Sequence, residues 1–145
     1  MKTGNVIFET HACRVEQCLD CRIAGYLIVR PKSPCMSFTE TPAAVWQDLC
    51  LALSQACRLV ESVLEPERLY VGRFGEGSGE IHIHVFPRTA WLLQQYRRAT
   101  DQPTGPVSGP LILDWARETF RDAGPPDTDF DATIQMLKER TRRFE

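Results

Sequence analysis

The chain has 145 residues, which is the length of one ordinary domain and enough to bury a core without disulfides or metals. Apolar residues make up 43% and charged residues 25% of the sequence, so the composition excludes a disordered or fibrous protein. The net charge of -2 does not indicate a broad nucleic-acid-binding face. No apolar run has the length of a membrane span or the form of a signal peptide, and the six cysteines indicate free thiols. We therefore expect a cytoplasmic protein that binds neither nucleic acid nor a membrane.

Hydrophobic periodicity in the first 90 residues predicts five strands and one long helix. The predicted strands cover residues 5–8, 11–15, 25–30, 68–74 and 80–87. Thr41 and Pro42 form a typical helix start, with Thr41 as the N-cap. The apolar residues that follow recur at helical spacing as far as Leu64, so this helix is expected to pack on the sheet.

Only local signals remain beyond Arg88. Residues 91–98 fit a helix or a short excursion, and residues 102–110 form a loop rich in proline and glycine. Two further helices are predicted, each with a side chain that can cap its first turn: Ser108 for the first, and Asp129 or Asp131 for the second, whose apolar residues reach Phe144. We interpret residues 1–90 as one domain and residues 91–145 as a C-terminal helical extension packed on it, with a role in packing or dimer contact.

Two of the three histidines lie in one short segment, Glu80-Ile81-His82-Ile83-His84-Val85-Phe86-Pro87-Arg88. Because side chains alternate along a strand, Glu80, His82 and His84 are expected on one face, and the aliphatic residues between them on the other. The aliphatic face can form core, whereas imidazoles can act as nucleophiles, proton carriers or metal ligands. The alternative is an edge strand whose polar face only meets water.

A glycine-rich loop, Gly75-Glu76-Gly77-Ser78-Gly79, precedes the histidine segment. Glycines let a backbone approach a ligand closely, and exposed amides bind anions. A flexible hairpin connection would use the same residues, but the position directly before the histidines favours a phosphate site. We expect a Cβ at Gly77 to block the ligand or to force a strained backbone.

The segment 81–88 resembles the histidine triad (HIT) signature, in which three histidines alternate with apolar residues and Pro-Arg commonly follows. On this alignment His84 takes the third position, His82 the middle one, and Glu80 stands where the first histidine belongs. The resemblance covers about residues 5–90 in the order of the family's elements. It implies an α+β, HIT-like fold with a mostly antiparallel sheet of about five strands, one long helix and added C-terminal helices, in a protein that forms a homodimer.

The same resemblance implies a hydrolase or nucleotidyl transferase that acts on a nucleotide substrate without a cofactor. His82 would attack the α-phosphorus of a nucleoside phosphoramidate or dinucleoside polyphosphate, and water would cleave the nucleotidyl-histidine intermediate. The backbone carbonyl of His84 would hold the proton on the second nitrogen of His82. The side chain of His84, as an imidazolium, would contact phosphate oxygens.

Several residues differ from what the family commonly has. Glu76 stands where a glutamine often contacts phosphate, Gly77 stands where serine or threonine is common, and Ser78 lies one residue further on. Tyr26 occupies a position that often holds histidine, and Asp20 is the carboxylate nearest to the expected ribose-binding position. The resemblance thus gives Glu80, His82 and His84 as catalytic residues, and as nucleotide- or phosphate-binding residues Asp20, Tyr26, Glu76, Gly77, Ser78 and Arg88.

Two other functions remain open at this point. The two glutamates, Glu76 and Glu80, also fit a catalytically weak nucleotide-binding or sensor protein on the same fold. The set Glu80, His82 and His84 also fits a metalloprotein with three ligands on one face. A separate group of soft ligands, His11, Cys13, Cys18 and Cys21, could bind a structural zinc, although its spacing differs from the zinc arrangement of the family.

Overall fold

The computed structural model describes residues 3–121 and 129–143, which form a five-stranded antiparallel sheet and four helices. The strands are β1 (Val6–Glu9), β2 (Cys13–Gln17), β3 (Leu27–Pro31), β4 (Arg68–Gly72) and β5 (Ile83–Arg88), in the spatial order β1-β2-β3-β5-β4. The helices are α1 (Ala43–Leu64), α2 (Ala90–Thr100), α3 (Gly109–Thr119) and α4 (Phe130–Thr141). The predicted α+β class and strand number are confirmed.

The alternation of side chains along the central strands divides the core into two layers. Val29 of β3 and Val85 of β5 point to one face, where they pack with α1 and with Leu137 of α4. Ile28 and Phe86, their neighbours in sequence, point to the opposite face and pack with α2 and α3. Both faces of the sheet are therefore covered by helices, and His84 lies on the face that α3 covers.

The element boundaries differ from the sequence-based expectation, by one or two residues in β1 to β4 and by more at the histidine strand. The histidine strand begins at Ile83, which pairs with Val29, so residues 80–82 lie outside the ladder. The N-cap of α1 is Pro42, and the Thr41 hydroxyl donates instead to the carbonyl of Ser37 at 2.7 Å. Of the two alternatives for residues 91–98, the helix is confirmed, over Ala90–Thr100. Phe144 lies outside the described residues, and the division at residue 90 stays a prediction.

A buried glutamine fixes the connection between β2 and β3. The Gln17 side chain is fully buried, donates to the carbonyl of Ile23 at 2.8 Å and accepts from the amide of Gly25 at 2.9 Å. Gly25 has a φ of 82°, a conformation that favours glycine, and a Cβ there would collide with Leu64. The loop over residues 18–25 is thus held in one conformation beside the histidine strand.

None of the helices described is long and apolar enough to cross a membrane.

Candidate active site

A cleft of about 450 Å³ lies between the sheet and the C-terminal half of α3. The strands of the sheet supply Ile28, Arg30 and His84, and the residues directly before two of these strands supply Tyr26 and His82. Arg117 comes from α3, and Arg121 follows this helix. The remaining wall comes from two loops, through Cys18, Asp20, Cys21 and Gly77. The cleft therefore combines both imidazoles with three guanidinium groups and one carboxylate.

His82 lies at the entrance to β5 and is held by a backbone group. Its Nδ1 is 2.9 Å from the carbonyl oxygen of Glu80. A carbonyl can only accept, so Nδ1 carries a proton, and in the neutral ring the lone pair is on Nε2. The expectation that the carbonyl of His84 accepts this proton's hydrogen bond is therefore wrong. Residues 80–82 leave the strand ladder, and this brings the carbonyl of Glu80 to the ring.

His84 is buried, with 7% of its surface exposed, and its Nδ1 lies 2.7 Å from the hydroxyl of Tyr26. Burial, together with the charges of His82, Arg117 and Arg30, lowers the pKa of His84 to about 4. The ring is therefore neutral at pH 7, contrary to the expected imidazolium. Burial also raises the pKa of Tyr26, so its hydroxyl keeps its proton and can donate to His84.

The glycine-rich loop approaches the cleft through one residue, Gly77. Gly75 and Gly79 have φ angles of 73° and 80°, so these two positions need glycine. Gly77 does not have a positive φ, and a Cβ there would meet no protein atom within 4 Å. A side chain at Gly77 would therefore enter the open cleft without straining the backbone, which corrects the expectation of strain.

Solved structures resemble the fold of this chain at low sequence identity. A hypothetical histidine triad nucleotide-binding protein from Sulfolobus tokodaii matches with a TM-score of 0.62, over 97% of this chain and 85% of its own, at 11% identity. A histidine triad protein from Sinorhizobium meliloti matches with a TM-score of 0.60, over 93% and 87%, at 19% identity. A zinc-bound histidine triad family protein from Mycobacterium smegmatis matches with a TM-score of 0.59, over 96% and 84%, at 14% identity. The chain has the histidine triad fold. No protein-family model and no curated protein matches the sequence.

The histidine triad fold brings some of the predicted site residues together and leaves others apart. Asp20, Tyr26 and Gly77 line the cleft with the two histidines. Ser78 accepts a hydrogen bond from the amide of Glu80 at 3.3 Å, so it supports the loop next to His82. Glu80 is half-buried and contributes its carbonyl, while its side chain is not part of the cleft wall.

Two further predicted phosphate contacts lie outside the cleft wall, as Ser78 does. Glu76 is exposed on the loop. Arg88 ends β5, where its guanidinium donates to the hydroxyl of Tyr70 at 2.8 Å and lies 3.9 Å from a carboxylate oxygen of Glu67. The expected contact between Arg88 and phosphate is thus replaced by a contact with β4.

Sequence reasoning missed the arginines of the cleft. Arg117 and Arg121 are four residues apart on the helix and the turn that follows it, so they share one side. That spacing is visible in the sequence, but it does not by itself distinguish a cleft-lining helix from the packing or dimer helix expected there. Arg30 lies on β3 on the same face as Tyr26 and Ile28, a position that strand alternation also predicts.

The structure does not bring together the ligands of either predicted metal site, the one at Glu80, His82 and His84 or the one at His11, Cys13, Cys18 and Cys21. Among residues 3–121 and 129–143, no three histidine, cysteine or acidic side chains come together as a ligand set. Cys13 lies in the layer under α1, whereas Cys21 lies in the layer under α3, on opposite faces of the sheet. Burial raises the pKa of Cys21 to about 12, so its thiol stays protonated.

Proposed function

We propose that this protein binds a nucleotide and acts as a hydrolase or nucleotidyl transferase at its α-phosphate. The observation that carries the proposal is His82, whose Nδ1 is bound to the carbonyl of Glu80 while its ring lines the cleft beside His84. In the neutral ring the lone pair is then on Nε2, which can act as the nucleophile. The substrates would be nucleoside phosphoramidates or dinucleoside polyphosphates.

In the proposed reaction, Nε2 of His82 attacks the α-phosphorus. A bond forms between nitrogen and phosphorus as the bond from phosphorus to the leaving group breaks; a leaving phosphate departs as an anion, and a leaving amine takes up a proton from water. The Nδ1 proton stays on the ring, and the carbonyl of Glu80 stabilises the positive charge that develops there. Water or another acceptor then displaces the ring from phosphorus, which restores the free imidazole.

Tyr26 and His84 would act together on the phosphate oxygens. If the tyrosine hydroxyl donates to Nδ1 of His84, the neutral ring carries its proton on Nε2 and can donate that proton to phosphate. The positive charge would then come from guanidinium groups of the cleft rather than from an imidazolium. Ile28, which pairs with His84 between β3 and β5, would offer an apolar surface for the base, and Asp20 a carboxylate for ribose hydroxyls.

Trapping of the covalent intermediate tests this function. Wild-type protein, mixed with a stoichiometric amount of dinucleoside polyphosphate and quenched in acid, should gain the mass of one nucleotidyl group, which His82→Asn should not gain. Turnover of His82→Asn should fall at least about a thousandfold while nucleotide affinity, measured by calorimetry, is kept. His11→Asn is the matched control, because His11 is exposed and lines a different cavity beside α1. Normal turnover by His82→Asn would refute the mechanism.

A second candidate is a catalytically weak nucleotide sensor on the same fold. The neutral state of His84 favours it, because a cleft without an imidazolium stabilises less negative charge in the transition state. Nucleotide binding by the wild-type protein with no adduct and no turnover would support the sensor and exclude the hydrolase.

We further propose a homodimer in the cytoplasm. β4 forms one edge of the sheet, and Val71 and Phe74 beside that edge are exposed to 49% and 47%. An apolar sheet edge is a surface that a second copy can cover. The cytoplasmic location is supported by the six cysteines of the protein, which are unpaired, as in proteins of a reducing compartment. Light scattering after size exclusion gives the mass of the assembly directly, and a monomer mass at micromolar concentration would contradict the dimer.

A further inference from the structure

The helix α3 places positive charge on the wall of the cleft, next to the loop that carries Cys21. Arg117 and Arg121 face the cleft from this side, and Arg30 faces it from β3. Asp20 is the one carboxylate among the described residues that line the cleft. The wall therefore carries an excess of positive charge around the two imidazoles.

Only one of these cations lacks a carboxylate partner within the described part of the chain. Nε of Arg30 lies 3.2 Å from a carboxylate oxygen of Glu16. The guanidinium of Arg121 donates to Glu118 at 3.0 Å. Arg117 makes no ion pair with any residue of 3–121 or 129–143, and its charge is one of those that lower the pKa of His84. Its field thus reaches the imidazole that would contact phosphate.

The backbone of α3 holds Arg117 in a fixed place. Ile112 and Ala116 of this helix are fully buried against the sheet. The thiol of Cys21 donates to the carbonyl of Ala116 at 3.6 Å, and Cys21 forms an isolated antiparallel bridge with Arg121. A guanidinium that starts from such an anchored helix loses less freedom when it binds an anion than one on a mobile segment.

We propose that Arg117 is a specificity-determining residue that binds the phosphate charge of the leaving group, so that this protein prefers dinucleoside polyphosphates to nucleoside phosphoramidates. This inference rests on the proposed function. The leaving group of a phosphoramidate is an amine, so this substrate carries no negative charge beyond the α-phosphate. In a polyphosphate, each further phosphate adds one negative charge. A guanidinium binds phosphate oxygens through two parallel hydrogen bonds, and its attraction grows with the charge of the leaving group.

The test compares two substrates with the same nucleoside, diadenosine tetraphosphate and adenosine 5′-phosphoramidate, in four proteins. The proteins are the wild type, Arg117→Gln, Arg117→Lys and the control Arg98→Gln, which removes the same charge from an exposed position on α2 outside the cleft. In Arg117→Gln the ratio of kcat/KM for tetraphosphate to kcat/KM for phosphoramidate should fall about tenfold, the effect of about 1.4 kcal/mol.

Two further readouts separate charge recognition from a structural role. Arg117→Lys should recover part of the ratio, because it keeps the charge and loses the paired hydrogen bonds. Added salt should lower the wild-type rate with tetraphosphate more steeply than the rate of Arg117→Gln. Arg98→Gln should keep the wild-type ratio. An equal fall for both substrates in Arg117→Gln, or an unchanged ratio, would overturn the inference.

Failure of the proposed function would give a different result. If the wild type turns over neither substrate, the hydrolase is refuted, and the role of Arg117 is then decided by calorimetry with adenosine tetraphosphate and AMP. Arg117→Gln should weaken tetraphosphate binding about tenfold more than AMP binding. Equal changes for the two ligands would overturn the inference in that case as well.

Discussion

The neutral state of His84 predicts that acid destabilises this protein through one buried ring. In the unfolded chain the pKa of a histidine is about 6.5, whereas in the fold that of His84 is about 4. The unfolded state therefore binds the proton first as the pH falls. The stability that the neutral ring contributes is fully present above about pH 6.5 and is lost progressively towards pH 4.

The size of the effect follows from proton linkage. At pH 5 the unfolded histidine is almost fully protonated and the folded one almost fully neutral, so nearly one proton is taken up on unfolding. Integration from pH 7 to pH 5 gives a loss of about 2 kcal/mol in the free energy of unfolding. For a domain of this size such a loss lowers Tm by roughly 5–10 °C.

The assay is denaturant unfolding of the wild type and of His84→Gln at several pH values. The glutamine is polar and does not titrate, and the other titrating groups are common to both proteins. The stability difference, wild type minus variant, should therefore fall by about 2 kcal/mol between pH 7 and pH 5. A difference that stays constant over this range would show that His84 is not held neutral by its buried position, and would refute the reasoning.

Three other substitutions give direct predictions. Glu80→Gln should change turnover by less than about threefold, because the backbone carbonyl of this residue and not its side chain holds His82; a tenfold loss in steady-state kcat would contradict this. Tyr26→Phe should lower stability by about 1–2 kcal/mol in urea and slow turnover, since it leaves Nδ1 of His84 buried without a partner; unchanged stability would show that water replaces the hydroxyl. Gly25→Ala should cost about 1–3 kcal/mol, because its φ is positive and Leu64 must move, whereas Gly77→Ala, the matched control, should leave Tm unchanged; equal Tm values for the two variants would contradict the close packing at Gly25.

The division of the histidine strand into two faces could be predicted from the sequence because alternation depends on the backbone alone. Ile83 and Val85 point to the layer under α1, while His84 and Phe86 point to the layer under α3, as the period of two requires. The long helix could be predicted for the same kind of reason, because its apolar stripe has the helical period.

The group that holds His82 could not be predicted in this way. It depends on where the ladder between β3 and β5 ends, and that register is set by contacts distant in sequence. Arg117 was missed for a related reason. The apolar side of α3 can be read from the sequence, but the face of the sheet on which it docks cannot, and this docking decides whether Arg117 meets the histidines or the solvent.

The contact between the thiol of Cys21 and the carbonyl of Ala116 joins positions 95 apart in the chain. Closure of a loop of this length is entropically costly and slow compared with the formation of neighbouring strands. During synthesis, a nascent chain of about 90 residues would already contain the five strands described and both histidines of the cleft, but not α3, which forms one wall of the cleft. We therefore expect the order of biosynthesis to separate the two events: the sheet can form first, and the cleft between the sheet and α3 is completed only when the last third of the protein has emerged.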